Sequence, residues 1–361
     1  MNLYSIAKKF PTGDLALLHL IKTRWPNGVR CVACDRDKTW LIEATGKTGK
    51  PRKLFQCADC GYQFSATANT LFHDSHLPLT KWFAVIALMV EGKKGISANQ
   101  VKRHIPMSYK TAWYVCHRIR EAMQEPQSSR LGGESVTVEI DETYVGGRKR
   151  GVGVKAGRDA KTIVVGMAER GGRIQLKTVK SRTSKDMKPV IDSTLRPTTK
   201  EVVTDALQTY RDVIPQDKHK RVNHKEELKD KNWTSTQTVE NALRFPIFRR
   251  SGSAPRSQPI ATSEVFGPCE RTRASRSLPP ITFGVRAFSC HRSAASFPIA
   301  FSLFKRGIVG NYHQLSAEHL DRYLGEFCWR YNRRRMQPWL FDMSLTNLVN
   351  KKPLPYKDLT F

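Results

Sequence analysis

Three apolar stretches with helical spacing follow one another in the first third of the chain. Leu79–Glu91 is almost continuously apolar and aromatic, which predicts a buried helix. Ser97–His104 is a shorter amphipathic stretch, and a longer one runs from Ser108 to about Met123; each opens on a serine of the kind that caps helices. A short helix, a turn and a longer helix over residues 78–125 indicate a helix-turn-helix unit.

The last of these predicted helices carries polar side chains that can reach DNA phosphates or base edges. We predict DNA contacts from Tyr109, Lys110, Thr111, His117, Arg118 and Arg120. A plain three-helix packing unit with a solvated basic face would give the same pattern. The net charge favours DNA binding, because 61 lysines and arginines against 32 acidic residues leave the chain at +29.

Beyond a polar linker at residues 124–133, the pattern changes to short β-rich runs separated by glycine pairs. Helical spacing returns between Ser302 and Asn332. Strands that alternate with helices indicate an α/β fold class. We predict strands over Val136–Ile140, Thr162–Met167, Ile174–Val179 and Glu201–Thr204, and a helix over Met187–Leu195.

Four of the eight cysteines form two Cys-x2-Cys pairs, with 22 residues between the pairs. These cysteines are Cys31, Cys34, Cys57 and Cys60. Such pairs can place four thiolates at the corners of a tetrahedron, which is the geometry of a structural zinc site. Four cysteines leave no open coordination position, so a catalytic zinc is disfavoured, and unconnected reduced thiols are the alternative. The pairs predict a zinc ribbon within an N-terminal segment of residues 1–70.

Three acidic residues stand near the ends of predicted elements in the α/β region. Asp141 follows the first predicted strand and Asp205 follows the fourth. Glu240 lies near the start of a further predicted helix. Carboxylate oxygens suit Mg²⁺, and three acids so placed can hold two ions that assist phosphoryl transfer. Solvated loop acids are an equally good interpretation of the spacing alone.

Residues 243–300 differ in composition from the rest of the chain. They contain nine arginines, nine serines and seven prolines, but no lysine or aspartate. Such a composition without periodicity argues against a packed core. We predict a mostly irregular, mobile segment that ends at Ala300, with a helix resuming over Phe301–Gly307. The chain outside this segment keeps most of the positive charge.

The motifs around the three acids resemble those of the IS1595-type (ISXO2-like) insertion-sequence transposases. They read VEIDETYVGG, VVTDALQTY, TQTVENA and FSLFKRG, and the cysteine pairs and the helix-turn-helix pattern before them resemble the same family. The resemblance implies an RNase H-like catalytic domain of the DDE type over residues 134–345, interrupted at 243–300. It leaves residues 346–361 as a C-terminal tail.

The resemblance also implies roles for individual residues. Asp141, Asp205 and Glu240 correspond to the acids that bind the catalytic Mg²⁺ or Mn²⁺. Lys305 corresponds to a basic residue that follows the third acid by seven positions in the family. Here 65 positions separate Glu240 from Lys305, and leaving out the 58 residues of 243–300 restores a separation of seven. We therefore interpret this segment as an in-frame insertion in the catalytic helix, which its prolines cannot continue.

The motifs together predict a DNA transposase that cleaves at element ends and joins the freed 3′-hydroxyl to target DNA. Its partners would be double-stranded DNA of the terminal repeats and of the target, and we expect a homo-oligomer on DNA. A catalytically inactive remnant that only binds DNA is the main alternative, and a structure-selective nuclease on the same fold is a weaker one.

The hydrophobic pattern bears on location as well. The longest apolar run, Trp82–Val90, has nine residues, whereas a membrane helix needs about 20. The N-terminus has no apolar stretch of the signal-peptide kind. We therefore expect no membrane partner and a cytoplasmic, nucleoid-associated bacterial protein.

Overall fold

The fold consists of a helical unit with a zinc-ribbon-like hairpin and a mixed α/β unit. A computed structural model describes residues 2–45, 51–126, 129–146, 161–205, 207–221, 297–313 and 315–360. Within these ranges, none of the helices has the length and apolar character needed to cross a membrane.

The N-terminal part begins with two helices and a small antiparallel sheet. Its elements are α1 (Leu3–Lys9), α2 (Gly13–Arg24), β1 (Thr39–Thr45), β2 (Pro51–Cys57) and β3 (Gln63–Phe64). The sheet order is β1-β2-β3, and both strand pairs are antiparallel. Trp25 closes the core of this sheet by packing edge-on against Phe55 and Phe64, with ring centroids 5.8 and 6.0 Å away.

Three helices follow as predicted: α3 (Leu79–Glu91), α4 (Ala98–His104) and α5 (Tyr109–Ala122). The hydroxyl of Ser97 accepts a hydrogen bond from the Gln100 amide at 3.3 Å, and that of Ser108 accepts one from the Thr111 amide at 3.1 Å. These two caps confirm the predicted starts of both helices, because each satisfies a backbone donor in the first turn. The role of these helices in DNA binding stays a prediction.

The C-terminal end of the chain returns to this helical unit. Helix α10 (Leu340–Asn350) packs on α2 and α3, where the ring of Phe341 lies 5.4 Å from Phe83 and 6.2 Å from Phe10. Leu354 and Leu359 are buried in the same core. The predicted division into a catalytic domain up to residue 345 and a tail at 346–361 is therefore wrong, because apolar contacts with the N-terminal helices outweigh chain proximity to α9 (Leu320–Asn332).

The α/β unit is built on a five-stranded mixed sheet. Its strands are β4 (Thr137–Val145), β5 (Thr162–Glu169), β6 (Ile174–Val179), β7 (Glu201–Thr204) and β8 (His219–Arg221). The strand order is β6-β5-β4-β7-β8. The pairs β4–β5 and β5–β6 are antiparallel, whereas β4–β7 and β7–β8 are parallel. The predicted α/β class is confirmed.

Helices cover both faces of this sheet. On one face, α6 (Ser184–Thr194) and α7 (Thr209–Val213) bury Val138 and Ile140 of β4. On the other face, α8 (Phe297–Gly307) and α9 bury Val145 and its neighbour Val164. Successive residues of β4 thus point to opposite helix layers, as strand geometry requires.

Two boundaries differ from the sequence prediction. Strand β4 continues five residues beyond Ile140, so Asp141 lies within the strand and not after it; pairing with β5 extends to Val145 and holds this part of the chain extended. Helix α8 begins at Phe297, four residues inside the segment predicted to be irregular. Pro298 lies in its first turn, where a missing backbone donor costs nothing. The rest of that prediction, residues 243–296, falls outside the described residues.

Candidate functional site

The two cysteine pairs form matching turns at one end of the small sheet. In each turn the first cysteine accepts a hydrogen bond from the amide four residues later: Asp35 donates to the carbonyl of Cys31, and Gly61 to that of Cys57, both at 3.0 Å. Asp35 and Gly61 have φ values of +58° and +69°. Glycine and aspartate tolerate this left-handed conformation better than most residues, so both turns suit their sequence.

The four sulfur atoms converge on one point. All lie within 4.8 Å of one another, with Cys31 and Cys60 at 3.7 Å and Cys34 and Cys57 at 3.6 Å. A tetrahedral zinc with bonds of about 2.3 Å places its sulfur ligands about 3.8 Å apart. The thiolate donor set and its spacing therefore fit a structural zinc ion, as predicted.

The first two predicted acids lie level with each other, Asp141 within β4 and Asp205 directly after the end of the neighbouring parallel strand β7. The register of β4 and β7 pairs Glu139 with Val203, so two further positions bring Asp141 level with Asp205. Asp141 belongs to the set of alternate β4 residues that faces the α8–α9 layer, together with Val145.

The carboxylate of Asp141 is buried and only half satisfied. Its Oδ1 accepts a hydrogen bond from the Glu142 amide at 2.8 Å, while its Oδ2 is buried and has no hydrogen-bond partner. Burial raises the pKa of Asp141 to about 7, and the negative charges of Glu142 and Asp205 add to the effect. A buried, unpaired carboxylate oxygen next to a second acid is what a divalent cation would satisfy, so these residues fit such an ion.

Lys305 on α8 completes the group from the other side. Burial lowers the pKa of Lys305, and the nearby positive charge of Lys161 contributes to the same effect, whereas Asp141 opposes it. The structure thus brings Asp141, Asp205 and Lys305 close together, and their catalytic roles stay a prediction. Lys161 was not among the predicted site residues, because its position beside Lys305 depends on how α8 crosses the sheet.

The third predicted acid, Glu240, lies outside the described residues. The helix that carries Lys305 has Pro298 at the position seven residues earlier. This is the helical position that the predicted spacing assigns to the acid, and proline has no carboxylate to offer there.

Glu142 is a buried acid beside the site. It was not among the predicted site residues. It accepts a hydrogen bond from the Tyr210 hydroxyl at 2.7 Å and pairs with the guanidinium of Arg182. Burial raises the pKa of Glu142, although both partners act in the opposite direction. As the neighbour of Asp141 on a strand, it points to the opposite face of the sheet, which is the one signal that separates the two acids in the sequence.

The predicted DNA contacts on α5 divide into two groups. Tyr109 is 48% exposed, Lys110 is exposed with its ammonium 4.7 Å from the centre of the Tyr356 ring, and Thr111 is half-buried beside Ser108. These three residues keep their predicted role as candidates, since the first turn of α5 is open to a partner.

The prediction is wrong for the other three, His117, Arg118 and Arg120, because all are buried. Arg118 donates to the carbonyls of Leu354 and His73, and Arg120 forms a buried ion pair with Glu326 at 2.7 Å. Burial lowers the pKa of His117 to about 2, which leaves it neutral. Their polar side chains serve the packing of α5 and not an external surface.

Comparison with known families agrees with this geometry. Residues 130–251 and 292–332 match the family model of the ISXO2-like transposase domain, and residues 11–63 match the transposase zinc-ribbon domain. The two matches together span more than half of the chain and identify it as carrying both domains of the IS1595-type, ISXO2-like transposases. The gap in the first match, residues 252–291, lies within the segment interpreted as an insertion.

A curated relative also supports the assignment to this transposase family. The chain is 31% identical over 140 residues to an uncharacterized protein in transposable element ISH50 of Halobacterium salinarum. The alignment covers 38% of this chain and 44% of the relative. The chain thus spans less than half the length of the curated relative that it matches, and the family resemblance seen in the motifs is confirmed.

Proposed function

We propose that this protein is a DDE-type DNA transposase with an RNase H-like catalytic domain. The observation that carries the proposal is the buried, unpaired Oδ2 of Asp141, level with Asp205 just after the parallel strand β7. A mixed sheet whose first three strands form an antiparallel meander and whose last two run parallel to the first supports the RNase H-like assignment.

In this proposal Asp141, Asp205 and Glu240 are the ligands of catalytic Mg²⁺ or Mn²⁺. When bound, such ions supply activation of the attacking oxygen and neutralisation of the leaving oxygen in phosphodiester cleavage and strand transfer. Lys305 holds a DNA phosphate at the rim of the site, where Lys161 adds a second positive charge. Half-burial of Lys305 strengthens its attraction to the phosphate, because the charge is less screened by water.

The DNA partner is double-stranded, both at the terminal repeats of the element and at the target. Tyr109, Lys110 and Thr111 at the open start of α5 are the proposed contacts of a helix-turn-helix. The zinc ribbon lies in the same helical unit and shares its core. The protein acts as a homo-oligomer on DNA, in the nucleoid of the cell.

A second candidate function is that of a DNA-binding remnant without catalytic activity. The observation that favours it is Pro298 at the position of α8 where the spacing calls for the third acid. In this case the helix that carries Lys305 offers no acid at that position, and catalysis requires ligands held to within a fraction of an ångström.

One experiment distinguishes the transposase from the DNA-binding remnant. Duplex DNA carrying the terminal sequences of the element is incubated with Mg²⁺ and either the full-length protein or a variant lacking residues 243–300. We expect Mg²⁺-dependent cleavage and joining by the deletion variant, less or none by the full-length chain, and none when Asp141→Asn is added to the deletion. Absence of cleavage by the deletion variant, with DNA binding intact, would contradict the transposase proposal and favour the remnant.

A further inference from the structure

The turn between α3 and α4 is fitted closely against the end of the helix that carries Lys305. The contact consists of Lys94 and Gly95 from the turn, Gly307 at the end of α8, and Asn311 and Tyr312 from the π-helical turn Ile308–Tyr312 that follows; we call it the joint. The side-chain amide of Asn311 donates to the carbonyl of Lys94 at 3.2 Å and to that of Gly95 at 2.8 Å.

Neither glycine of the joint leaves room for a side chain. A Cβ atom at Gly307 would lie 2.6 Å from the carbonyl oxygen of Lys94, and one at Gly95 would lie 1.8 Å from the hydroxyl oxygen of Tyr312. The first of these obstacles is backbone, which cannot rotate away. The end of α8 therefore touches the turn at the closest distance that packing permits.

A buried charge network stands behind the joint. The carboxylate of Glu326 on α9 accepts from Arg120 of α5 at 2.7 Å and from Arg330 at 3.0 Å, and the Tyr312 hydroxyl lies 3.4 Å away. Arg120 also donates to the carbonyl of Ile96, at the start of α4. Both arginines are charged and almost fully buried, so this contact between the two units is fixed and not a sliding one.

The joint lies next to the active-site lysine. Lys305 precedes Gly307 by two positions on α8, and this helix is seated on the sheet through Phe301 and Phe304. A π-helical turn is rare, and such turns are frequent at functional sites. Here the turn carries both side chains that reach the α3–α4 turn.

We propose that the joint is a positioning element of the active site, through which the helix-turn-helix unit sets the depth of α8 and holds Lys305 beside Asp141. This inference rests on the proposed function. It makes the DNA-binding unit part of the scaffold of the catalytic site, because the α3–α4 turn packs against Gly307, two positions after Lys305.

The matched substitutions Gly307→Ala and Gly310→Ala test the joint in the full-length protein. Gly307 has ordinary helical angles (φ −64°, ψ −42°), so alanine fits its backbone and has the higher helix propensity. Any displacement of α8 in this variant must therefore come from the contact of the new Cβ atom with the Lys94 carbonyl. Gly310 lies in the same π-helical turn, but a Cβ there would meet nothing within 4 Å.

The readout is amide hydrogen exchange over Phe301–Gly307, measured by mass spectrometry. Phe301 and Phe304 hold α8 on the sheet, so displacement of the helix by a Cβ atom at Gly307 should speed exchange in this stretch. We expect faster exchange in Gly307→Ala and no change in Gly310→Ala. Equal exchange in both variants and the wild type would overturn the proposal.

Asn311→Ala keeps the test decisive if Gly307→Ala does not fold. It removes two hydrogen bonds to the α3–α4 turn without adding bulk, and we expect a smaller increase in amide exchange over Phe301–Gly307. Asn347→Ala is the control, because this side chain donates to the Ala122 carbonyl at 3.1 Å, away from the joint. Unchanged exchange over Phe301–Gly307 in Asn311→Ala would reject the proposal.

The exchange result does not depend on catalysis. A full-length protein that fails to cut DNA would count against the proposed function and leave the exchange rates interpretable. In the variant lacking residues 243–300, Gly307→Ala should lower the rate of cleavage at saturating DNA at least tenfold, with DNA affinity unchanged. A loss of affinity with an unchanged rate would instead assign the joint to DNA binding.

Discussion

The zinc centre and the acidic centre collect their residues from the chain in different ways. All four cysteines lie within residues 31–60, on two turns with the same internal hydrogen bonds. Asp141, Asp205 and Lys305 come from two strands and a helix that are distant in sequence. A site of the first kind depends on its own local turns, whereas one of the second kind depends on every contact that orients its elements. We therefore expect an insertion far from the cysteines to affect the acidic centre and not the zinc centre.

The largest effect should follow from loss of one zinc ligand. In Cys57→Ser we expect loss of stoichiometric zinc and of amide protection over residues 26–65, since structural zinc contributes about 10–16 kcal/mol of apparent binding energy in small zinc domains. Metal analysis and hydrogen exchange measure both. Asp59→Asn in the same turn should keep the zinc, because Asp59 is exposed and is not a ligand. Full zinc occupancy in Cys57→Ser would contradict the assignment.

The next effect concerns the contact between the two units. Glu326→Gln leaves Arg120 and Arg330 buried without a counter-charge, and removal of one partner of a buried ion pair costs about 3–5 kcal/mol. The free energy of unfolding in urea measures this loss. Glu121→Gln breaks the partly exposed pair with Arg322 and should cost less than about 1 kcal/mol. Similar losses in the two variants would mean that the network adds no more than a surface pair.

Asp141 should destabilise the metal-free protein at neutral pH. Its pKa is raised from 3.8 to about 7, so the native state holds this proton more tightly than the unfolded chain does. The associated stability is complete below pH 3.8 and is lost as the pH rises to about 7. At pH 8, Asp141→Asn should raise the free energy of unfolding by about 2–4 kcal/mol.

Mg²⁺ provides a second test of Asp141, because an ion bound to the Asp141 carboxylate stabilises the native state. Thermal unfolding at pH 8 should therefore show stabilisation by Mg²⁺ in the wild type and none in Asp141→Asn. Asp186→Asn, away from the acidic centre on α6, serves as the control. Equal responses to Mg²⁺ in Asp141→Asn and the wild type would contradict a metal site at Asp141.

The smallest effect concerns DNA affinity. Lys110→Ala at the open start of α5 should weaken DNA binding and reduce the slope of log affinity against log salt by about 0.9, the contribution of one neutralised phosphate. Titrations at several salt concentrations measure the slope. Lys188→Ala, exposed on α6 across the sheet from α8, should leave it unchanged. Identical slopes in the two variants would remove Lys110 from the DNA-binding surface.

Short sequence motifs predicted those parts of the fold that depend on residues close together in the chain. The serine caps at Ser97 and Ser108 fixed two helix starts, and the cysteine pairs fixed the zinc centre. Asp141 and Asp205 were singled out because each directly follows a predicted strand; in the structure Asp205 does follow β7, whereas Asp141 lies in the middle of β4.

Contacts between distant segments were beyond such signals. Arg120 looked like a surface residue because its partner Glu326 lies 206 positions away. Helix α10 packs on the N-terminal helices because Phe341 fits beside Phe10. No residue near Phe341 in the sequence indicates this contact. The same holds for Lys161, whose closeness to Lys305 results from the packing of α8 on the sheet.

We expect the acidic centre to bind a divalent metal ion, and we expect residues 243–300 to weaken that binding because they place 65 positions between Glu240 and Lys305. Mn²⁺ affinity, measured by electron paramagnetic resonance with zinc content as the internal reference, tests it most directly. We predict one zinc per chain throughout, at least tenfold tighter Mn²⁺ binding after deletion of 243–300, and no such binding when Asp141→Asn is added. Equal Mn²⁺ affinity with and without the segment, or binding that survives Asp141→Asn, would contradict the account.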